Sequence, residues 1–438
     1  MQPSLRNPIR DRRIFLQAGL LAAGGALTSR SGLLATPSEK AVSANDMISV
    51  GIMGVNGRGR SLMKSFASNS GARVTHLCDV DTRATDRAAQ ELIDQGAAQP
   101  TITGDVRKML EDKTLDAIVV AAPNHWHAPA TIMGCAAGKH VYVEKPCSYT
   151  AQEGEWAVAA AQKHRRVVQM GSQRRSWPGL IEAIAKLKAG DIGEVLYSRT
   201  WYNSRRGSIG TGVTGAVPDW LDWDLWQGPA PRRPFKNNVV HYNWHWHWHW
   251  GNGELGNNGI HALDVARWGV DVTYPQRVTA GGGRHRFDDD QETPDTMMVT
   301  FDFPEGRTIT WEGLSWSPLG PHESRFGISF HGTEGSLVIR DAKYVQFNLQ
   351  DKPVLEGGGG GGDHVHLEDF LDAIRQGRRP NADILEAHRS TLLCHLGNIA
   401  YRTSSVLHTD PDNGAILNHP EAAALWTREY ETGWEPTF

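Results

Sequence analysis

Cysteine is scarce. The 438 residues hold four, Cys78, Cys135, Cys147 and Cys394, with no CxxC spacing. Zinc ribbons and disulfide frameworks need paired or clustered cysteines, so the expectation is four free thiols and no metal site. A dominant charge is lacking too. The formal net charge is −4, and no Lys/Arg-rich stripe is present to track a phosphate backbone, which argues against a nucleic-acid partner. Beyond the N-terminal region no apolar run approaches the roughly 18 residues of a membrane span. The body of the chain is therefore read as soluble, with no membrane partner. No repeat at a period of 20–50 residues is evident, against a solenoid or propeller. Apolar residues at 39% and charged residues at 21% suit a globular chain. The length favours two or three domains at roughly 150 residues each.

Tryptophan, by contrast, is abundant. Nine of the sixteen lie between Trp201 and Trp268, a clustering expected of a surface or cleft more than of a uniform core. At the N-terminus, Asp11-Arg12-Arg13-Ile14-Phe15-Leu16-Gln17 has the form of a twin-arginine export signal. A short apolar stretch from Ala18 to Leu27 follows, and Val42-Ser43-Ala44 supplies small residues before a cut. Residues 1–44 are thus read as a signal peptide, and the protein as periplasmic or otherwise exported by the twin-arginine route.

The next segment opens with Met47-Ile48-Ser49-Val50-Gly51-Ile52-Met53, a short β-branched run ending in Gly54-Val55-Asn56-Gly57-Arg58-Gly59. Further strand-like runs at 72–78, 116–122 and 140–143 alternate with helical stretches. Such alternation predicts a doubly wound parallel sheet over 47–172. After about residue 172 the strand-like runs turn to in–out alternation, as at 194–200 and 297–303. This predicts a second α/β domain over 173–438 with an open, largely antiparallel sheet. The six glycines Gly357 to Gly362 read as a flexible surface loop. Leu367, Phe370, Leu371 and Ile374 fall at helical spacing, and 384–401 reads as another helix.

The first turn carries a dinucleotide fingerprint with one departure. Gly54 allows the tight turn and Gly59 the close helix–strand packing, while the middle position is Asn56, followed by Gly57 and Arg58. A helix N-terminus after such a loop attracts phosphate. Asp79, twenty residues after Gly59, stands where an acid bonds a ribose 2′-hydroxyl and repels a 2′-phosphate. NAD is therefore the expected cofactor, with NADP less favoured, Arg83 being the nearby cation. Pro123-Asn124-His125-Trp126-His127 follows the strand ending near Val120, at the edge where ligands bind. It reads equally as a cofactor-contacting loop or as a helix start capped by Asn124. In Glu144-Lys145-Pro146, the lysine after a strand suits either a solvated side chain or one that holds a substrate hydroxyl.

In this order, these motifs resemble the glucose–fructose oxidoreductase / inositol dehydrogenase (Gfo/Idh/MocA) family, and in particular its exported twin-arginine members. Gly253-Glu254-Leu255-Gly256-Asn257-Asn258-Gly259-Ile260-His261-Ala262-Leu263-Asp264 resembles that family's second catalytic segment. The resemblance spans nearly all of 47–435. It implies a Rossmann domain, then an α/β domain whose open sheet assembles dimers or tetramers. It also implies a catalytic pair: Lys145 on the substrate hydroxyl, and His261 taking its proton while hydride leaves for the nicotinamide. Glu144, Pro123, Asn124, His125 and His127 are implied on the cofactor side. Many relatives carry Asp four residues before the histidine. Here Asn257 stands there, which can bind a hydroxyl but cannot relay a proton.

His241-Tyr242-Asn243-Trp244-His245-Trp246-His247-Trp248-His249-Trp250 is the most unusual segment. Extended, it puts three histidines on one face, a possible metal set. No carboxylate or Cys is spaced as a further ligand, so the preferred reading is an irregular cleft loop. In it Tyr242, Trp244 and His245 meet a carbohydrate, together with Asn257 and His261. Export bears on the chemistry, since a cofactor outside the cytoplasm must travel with the folded protein and be regenerated on it. The leading expectation is an exported NAD-dependent oxidoreductase of a sugar, polyol or glycoside, with tightly held cofactor. The alternatives are a redox-neutral NAD-dependent glycosidase and a non-catalytic sugar-binding protein of the same fold.

Overall fold

Apolar, β-branched runs build the first sheet. The computed structural model describes residues 47–437, and the twin-arginine segment lies outside the described residues. Six strands, β1 (Ile48–Met53), β2 (Ala72–Cys78), β3 (Thr101–Thr103), β4 (Ala117–Val120), β5 (His140–Val143) and β6 (Val168–Met170), pair in the order β3-β2-β1-β4-β5-β6. Every pairing is parallel. Every residue of β1 and β4 is buried, because helices cover both faces, and this is why these strands read as unbroken apolar runs. On one face lie α1 (Arg58–Ala67) and α2 (Thr82–Asp94), and on the other α3 (Val106–Leu110), α4 (Asn124–Ala136) and α5 (Ala151–His164).

The second sheet has ten strands: β7 (Val195–Asn203), β8 (Arg277–Gly283), β9 (Thr296–Asp302), β10 (Thr308–Leu314), β11 (Phe326–Gly332), β12 (Gly335–Arg340), β13 (Lys343–Asn348), β14 (Pro353–Gly358), β15 (Leu407–Thr409) and β16 (Ile416–Leu417). Their order is β14-β13-β12-β11-β7-β10-β9-β8-β15-β16, antiparallel except for the β7–β10 pair. Alternation appears as the sequence predicts. Met297, Val299 and Phe301 of β9 and Ile309 and Trp311 of β10 point inward. On the other face Arg199 bonds Glu312 (2.7 Å) and Tyr197 bonds Thr310 (2.8 Å) across strands. The inner face packs on α6 (Pro178–Ala189), α8 (Ile260–Val270) and α10 (Ile384–Thr403). Two short helices, α7 (Trp223–Gln227) and α11 (Pro420–Ala424), sit outside this layer. No helix among the described residues is long and apolar enough to cross a membrane.

Parts of the chain beyond residue 172 pack on the first sheet's layers. Helix α9 (Asp363–Gln376) returns to the first sheet, where Leu367, Phe370 and Leu371 complete the core formed by α1, β1 and β5. Phe370 meets Phe66 edge-on with centroids 6.5 Å apart, and Tyr142 at 5.9 Å. The glycine run before it is only in part the loop expected: Gly359 to Gly362 lie in one, and the first two glycines do not. Gly357 and Gly358 pair in β14 with Tyr344 and Lys343. A Cβ at Gly357 would lie 2.4 Å from the Tyr344 hydroxyl, and Gly359 accepts the Gly179 N–H (3.1 Å). Neighbours close on the backbone at Gly357 and Gly358, whereas nothing lies within 4 Å of a Cβ at Gly359. The Trp-rich region departs as well: six of its nine tryptophans, Trp201, Trp223, Trp226, Trp244, Trp246 and Trp250, are buried. Trp223 stacks on Trp226 at 4.7 Å, and Trp250 meets both edge-on, forming a small separate core.

All four cysteines are buried free thiols. Burial pushes His388 down to about 4 and His395 down to about 3, both on α10.

Two outcomes follow from this packing. Phe370→Ala is expected to cost about 3–5 kcal/mol, read from urea unfolding, although residue 370 lies far in sequence from the sheet it covers. As pH falls from 6.5 toward 4, the unfolded chain takes protons on His388 and His395 that the folded chain refuses. Their contribution to stability is therefore complete above pH 6.5 and declines below it. Unfolding midpoints across that window check the sign, and His388→Gln with His395→Gln flattens the slope.

Candidate active site

A cavity of about 540 Å³ lies along the carboxyl ends of β1, β4 and β5, where an open parallel sheet binds ligands. Gly54 turns the chain at φ +83°, and a Cβ there would sit 2.7 Å from the Ala121 carbonyl oxygen. A Cβ at Gly59 would fall 1.6 Å from the Gly54 oxygen, so α1 leaves the strand at backbone contact. Gly59 thus packs, and it does not line the cavity. Gly54, Asn56, Gly57 and Arg58 do. Nothing lies within 4 Å of a Cβ at Gly57, the residue preceding α1. The Asn56 side-chain oxygen accepts from Arg87 (2.8 Å), which turns it aside.

Asp79 ends β2 at the cavity wall. Its carboxylate accepts the N–H groups of Val55 (2.7 Å) and Asp81 (3.0 Å), which fix its position. Burial pushes this carboxyl upward, and those two bonds oppose the rise. Arg83 is held elsewhere. Its guanidinium bonds both oxygens of buried Asp81 (3.0 and 2.9 Å) and lies 3.4 Å over the Trp220 ring. The open glycine turn, the helix start and the acid after β2 are the features a dinucleotide with a free ribose 2′-hydroxyl needs.

The His-Trp-His stretch forms the first turn of α4, with Pro123 in the cap position and no side-chain cap bond from it. Pro123, Asn124, Trp126 and His127 line the cavity. His127 rests its ring nitrogens against the carbonyl oxygens of Pro146 (2.5 Å) and Ala122 (2.8 Å). His125 points the other way. It is fully buried, its Nε2 lies 3.0 Å from the Trp226 carbonyl oxygen, and it is no part of the cavity wall. Residues three apart share a helix face, so 124 and 127 reach the cavity together, while the His125 ring is turned to the Trp226 carbonyl.

Glu144 and Lys145 leave β5 at the centre. Arg58 Nε donates to Glu144 (2.7 Å), and its two terminal nitrogens donate to Asp363 at the start of α9 (2.6 and 2.8 Å). The Lys145 ammonium donates to the Asn257 carbonyl oxygen (2.7 Å) and to its side-chain Oδ1 (2.9 Å). One of its three N–H donors is left for a ligand. Burial lowers the Lys145 pKa, and the charges of Glu144 and Glu254 work against that. Asn257 lies in a π-helical turn, Leu255–Gly259, that runs into α8. One turn on, His261 lines the same cavity. Burial, reinforced by the Lys145 charge, holds its pKa well below the ordinary value, so the ring is neutral at pH 7. Arg175 grips Asp264 bidentately (2.9 and 2.8 Å), and Ser390 adds a bond (2.7 Å), which fixes the first turns of α8.

The Tyr242–Trp250 segment is not extended. It forms a 3₁₀ turn, Asn243–Trp246, followed by further turns, so its histidines separate. His245 turns to the cavity, His247 lies 3.7 Å from Glu292, and His249 Nε2 lies 2.8 Å from the Pro231 carbonyl oxygen. Among the described residues no group of three His, Cys, Asp or Glu is arranged to hold a metal. Tyr242, Trp244 and His245 join Asn257 and His261 in the wall. The His245 ring stacks on Trp244 at 3.6 Å, its Nδ1 lies 2.6 Å from the Tyr242 carbonyl oxygen, and burial pushes it down to about 3. Burial raises the Tyr242 hydroxyl, against a hydrogen bond with Asn257.

Sequence reasoning missed several wall residues: Val80, Gly104, Asp105, Gln173 and His241. Gly104 and Asp105 follow β3, a strand of three residues, too short for a pattern. They would follow from topology alone, as the loop at the carboxyl end of the next strand. His241 opens the segment read as a cleft loop, but nothing in the sequence marks it apart from the other histidines there.

Comparison with known proteins matches these features. A family profile described as an oxidoreductase family with an NAD-binding Rossmann fold, GFO_IDH_MocA, covers residues 48–172. Its companion, the C-terminal alpha/beta domain of that oxidoreductase family, covers 199–436. A glycosyl hydrolase family 109 protein of Parabacteroides distasonis is 23% identical over 92% of this chain and 96% of its own length. One of that description from Shewanella pealeana is 28% identical, but the match spans under half of each chain, 44% of this one and 46% of that one. Among solved structures, levoglucosan dehydrogenase with NADH and levoglucosan superposes with TM-score 0.66 at 18% identity, covering 83% of this chain and 99% of that one. Aldose–aldose oxidoreductase from Caulobacter crescentus, complexed with glycerol, superposes with TM-score 0.65 at 20% identity over the same shares. With both profiles matched in order over a sheet of Rossmann topology, the chain belongs to the Gfo/Idh/MocA oxidoreductase family, and its N-terminal domain is an NAD-binding domain.

Proposed function

We propose that this protein is an NAD-dependent enzyme that oxidises a CH–OH group of a sugar, polyol or glycoside. The carrying observation is the convergence of the Lys145 ammonium and the neutral His261 imidazole on the cavity that begins at the dinucleotide turn. Bound NAD supplies the hydride acceptor. Gly54, Asn56, Gly57, Arg58 and Asp79, with Pro123, Asn124, His127 and Glu144, form its side of the cavity. Lys145, steadied by both oxygens of Asn257, donates its remaining N–H to the substrate hydroxyl oxygen and stabilises the charge growing there. His261, kept neutral by burial, accepts the hydroxyl proton as the carbonyl forms. Asn257 positions the lysine and takes no proton. Tyr242, Trp244 and His245 offer an aromatic wall and hydroxyl partners, as a ring with an apolar C–H face needs. The sugar-acting names of the structural neighbours agree with this class of substrate.

A redox-neutral glycosidase is the second reading, favoured by His245. Its Nδ1 is committed to the Tyr242 carbonyl, so Nε2 is left as a lone-pair acceptor on the cavity side. A second base of this kind serves to remove the proton next to a newly formed carbonyl, letting a glycosidic substituent leave. The glycosyl hydrolase family 109 names of the sequence relatives agree. We further propose export by the twin-arginine segment and a homodimer or homotetramer formed through the open sheet face.

The deciding assay incubates the purified chain with NAD and a panel of free sugars, polyols and nitrophenyl glycosides. Accumulating NADH supports the oxidoreductase, and nitrophenol release without net NADH supports the glycosidase. Neither product, with no NAD bound, refutes both. Lys145→Ala and His261→Ala are each expected to lower kcat by about 10²–10⁴ while bound NAD is retained. If Lys145→Ala changes nothing and sugar still binds, a non-catalytic binding protein is the better account. Because the His261 pKa lies well below 6.5, the acid limb of kcat/KM should begin only below that pH. Arg12→Lys with Arg13→Lys is expected to keep a reporter fused to residues 1–44 in the cytoplasm, seen by fractionation.

A further inference from the structure

The loop after β2 is gripped by a segment more than a hundred residues away. Thr82 N–H donates to the Trp220 carbonyl (3.1 Å), and Asp222 N–H donates to the Val80 carbonyl (3.0 Å). These bonds make Asp81 and Leu221 an isolated antiparallel bridge. Twenty residues on, His241 Nε2 reaches back to Asp81 Oδ2 (2.8 Å). Asp81 is 1% exposed, and its carboxylate also carries Arg83, which lies flat on Trp220. The two ends of segment 220–241 therefore close on the Val80–Thr82 loop, one on its backbone and the other on the buried Asp81 carboxylate. The same segment supplies Leu225 and Trp226 to the cavity wall, and Tyr242, Trp244 and His245 follow at its end.

The position of this grip gives it a consequence. Asp79 is two residues from Asp81 and accepts its N–H (3.0 Å). In a sheet of this topology, the acid after the second strand marks the adenosine ribose. Segment 220–241 thus touches both sides of the groove, the loop after β2 and, through the Trp226 carbonyl oxygen, the start of α4, where Trp126 Nε1 donates to it (3.0 Å). Lifting the segment off the β2 loop breaks both backbone hydrogen bonds and the bond to the buried carboxylate. Bonds to charged groups are among the stronger single contacts in a protein.

We propose that segment 220–241 is a clasp that retains the cofactor, with His241 as the positioning residue that locks it on Asp81. The inference rests on NAD occupying the groove. It accounts for retention without a covalent link or an unusual cofactor contact: the rate of loss is set by opening of the clasp. His241 touches neither Lys145 nor His261, and it acts through Asp81.

The test uses the whole chain loaded with NADH. Protein-bound NADH fluorescence is followed after mixing with excess NAD. His241→Ala is expected to speed the loss by about tenfold, the equivalent of one charge-assisted hydrogen bond. His241→Gln, which keeps a donor near the Nε2 position, should return the rate toward that of the parent. A role in general stability would not be rescued in this way, and the melting temperature of the cofactor-free forms should match. Trp220→Ala removes the Arg83 platform, serves if His241→Ala fails to fold, and is likewise expected to speed release. Hydrogen exchange at the Thr82 and Asp222 amides should rise with release in each fast variant. Equal release rates across parent and variants overturn the clasp and leave the groove assignment intact. A parent chain that binds no NADH overturns both.

Discussion

The Arg58 guanidinium faces two carboxylates from distant regions of the chain. Glu144 comes from the end of β5, and Asp363 opens α9, the helix after β14. Desolvation opposes the buried cation, while the two carboxylates favour it, and the favourable side prevails: the Arg58 pKa stays above its ordinary value and Asp363 stays below its own. The dinucleotide turn, the strand end that presents Lys145 and the start of α9 are thereby fixed relative to one another. Remove that guanidinium and the buried Glu144 carboxylate loses the cation paired with it. The site's geometry depends on this charge being satisfied from both sides.

Much of this was legible in the residues. β1 and β4 announced themselves because a strand buried on both faces has no reason to alternate, and β9 because a strand with one open face must. Gly54 and Gly59 were readable because only glycine fits where backbone meets backbone within 3 Å. Lys145 and His261 were readable from their motifs, and the structure brings them to one cavity. Illegible were the directions of side chains within a helical turn, so that His125 was grouped with His127 although a helix separates them. Equally hidden was the use of a polar group by an unforeseen partner. Asn257 was weighed against His261, whereas its oxygen serves Lys145.

Tryptophan misled for a different reason. A cluster of aromatics in sequence is compatible with a sugar-facing wall or with a core, since both reward large rigid area. The choice depends on whether neighbouring segments fold over the rings. Here Leu221, Phe235 and Val239 do so, and only Trp226 and Trp244 of that cluster also reach the cavity. The tryptophans stiffen the segment that carries Tyr242 and His245 more than they offer themselves to a ligand.

Helix α9 has a bearing on how the polypeptide is made. The first sheet is fully synthesised by Met170, yet the core over its α1 face lacks Leu367, Phe370 and Leu371 until nearly two hundred further residues have been translated. At roughly 5–20 residues per second, that interval is on the order of ten to forty seconds. Through it the nascent first domain holds an uncovered apolar patch around Phe66 and Tyr142. The ribosome therefore releases a chain whose two domains complete each other almost together, and a chaperone on the nascent chain would meet that patch first.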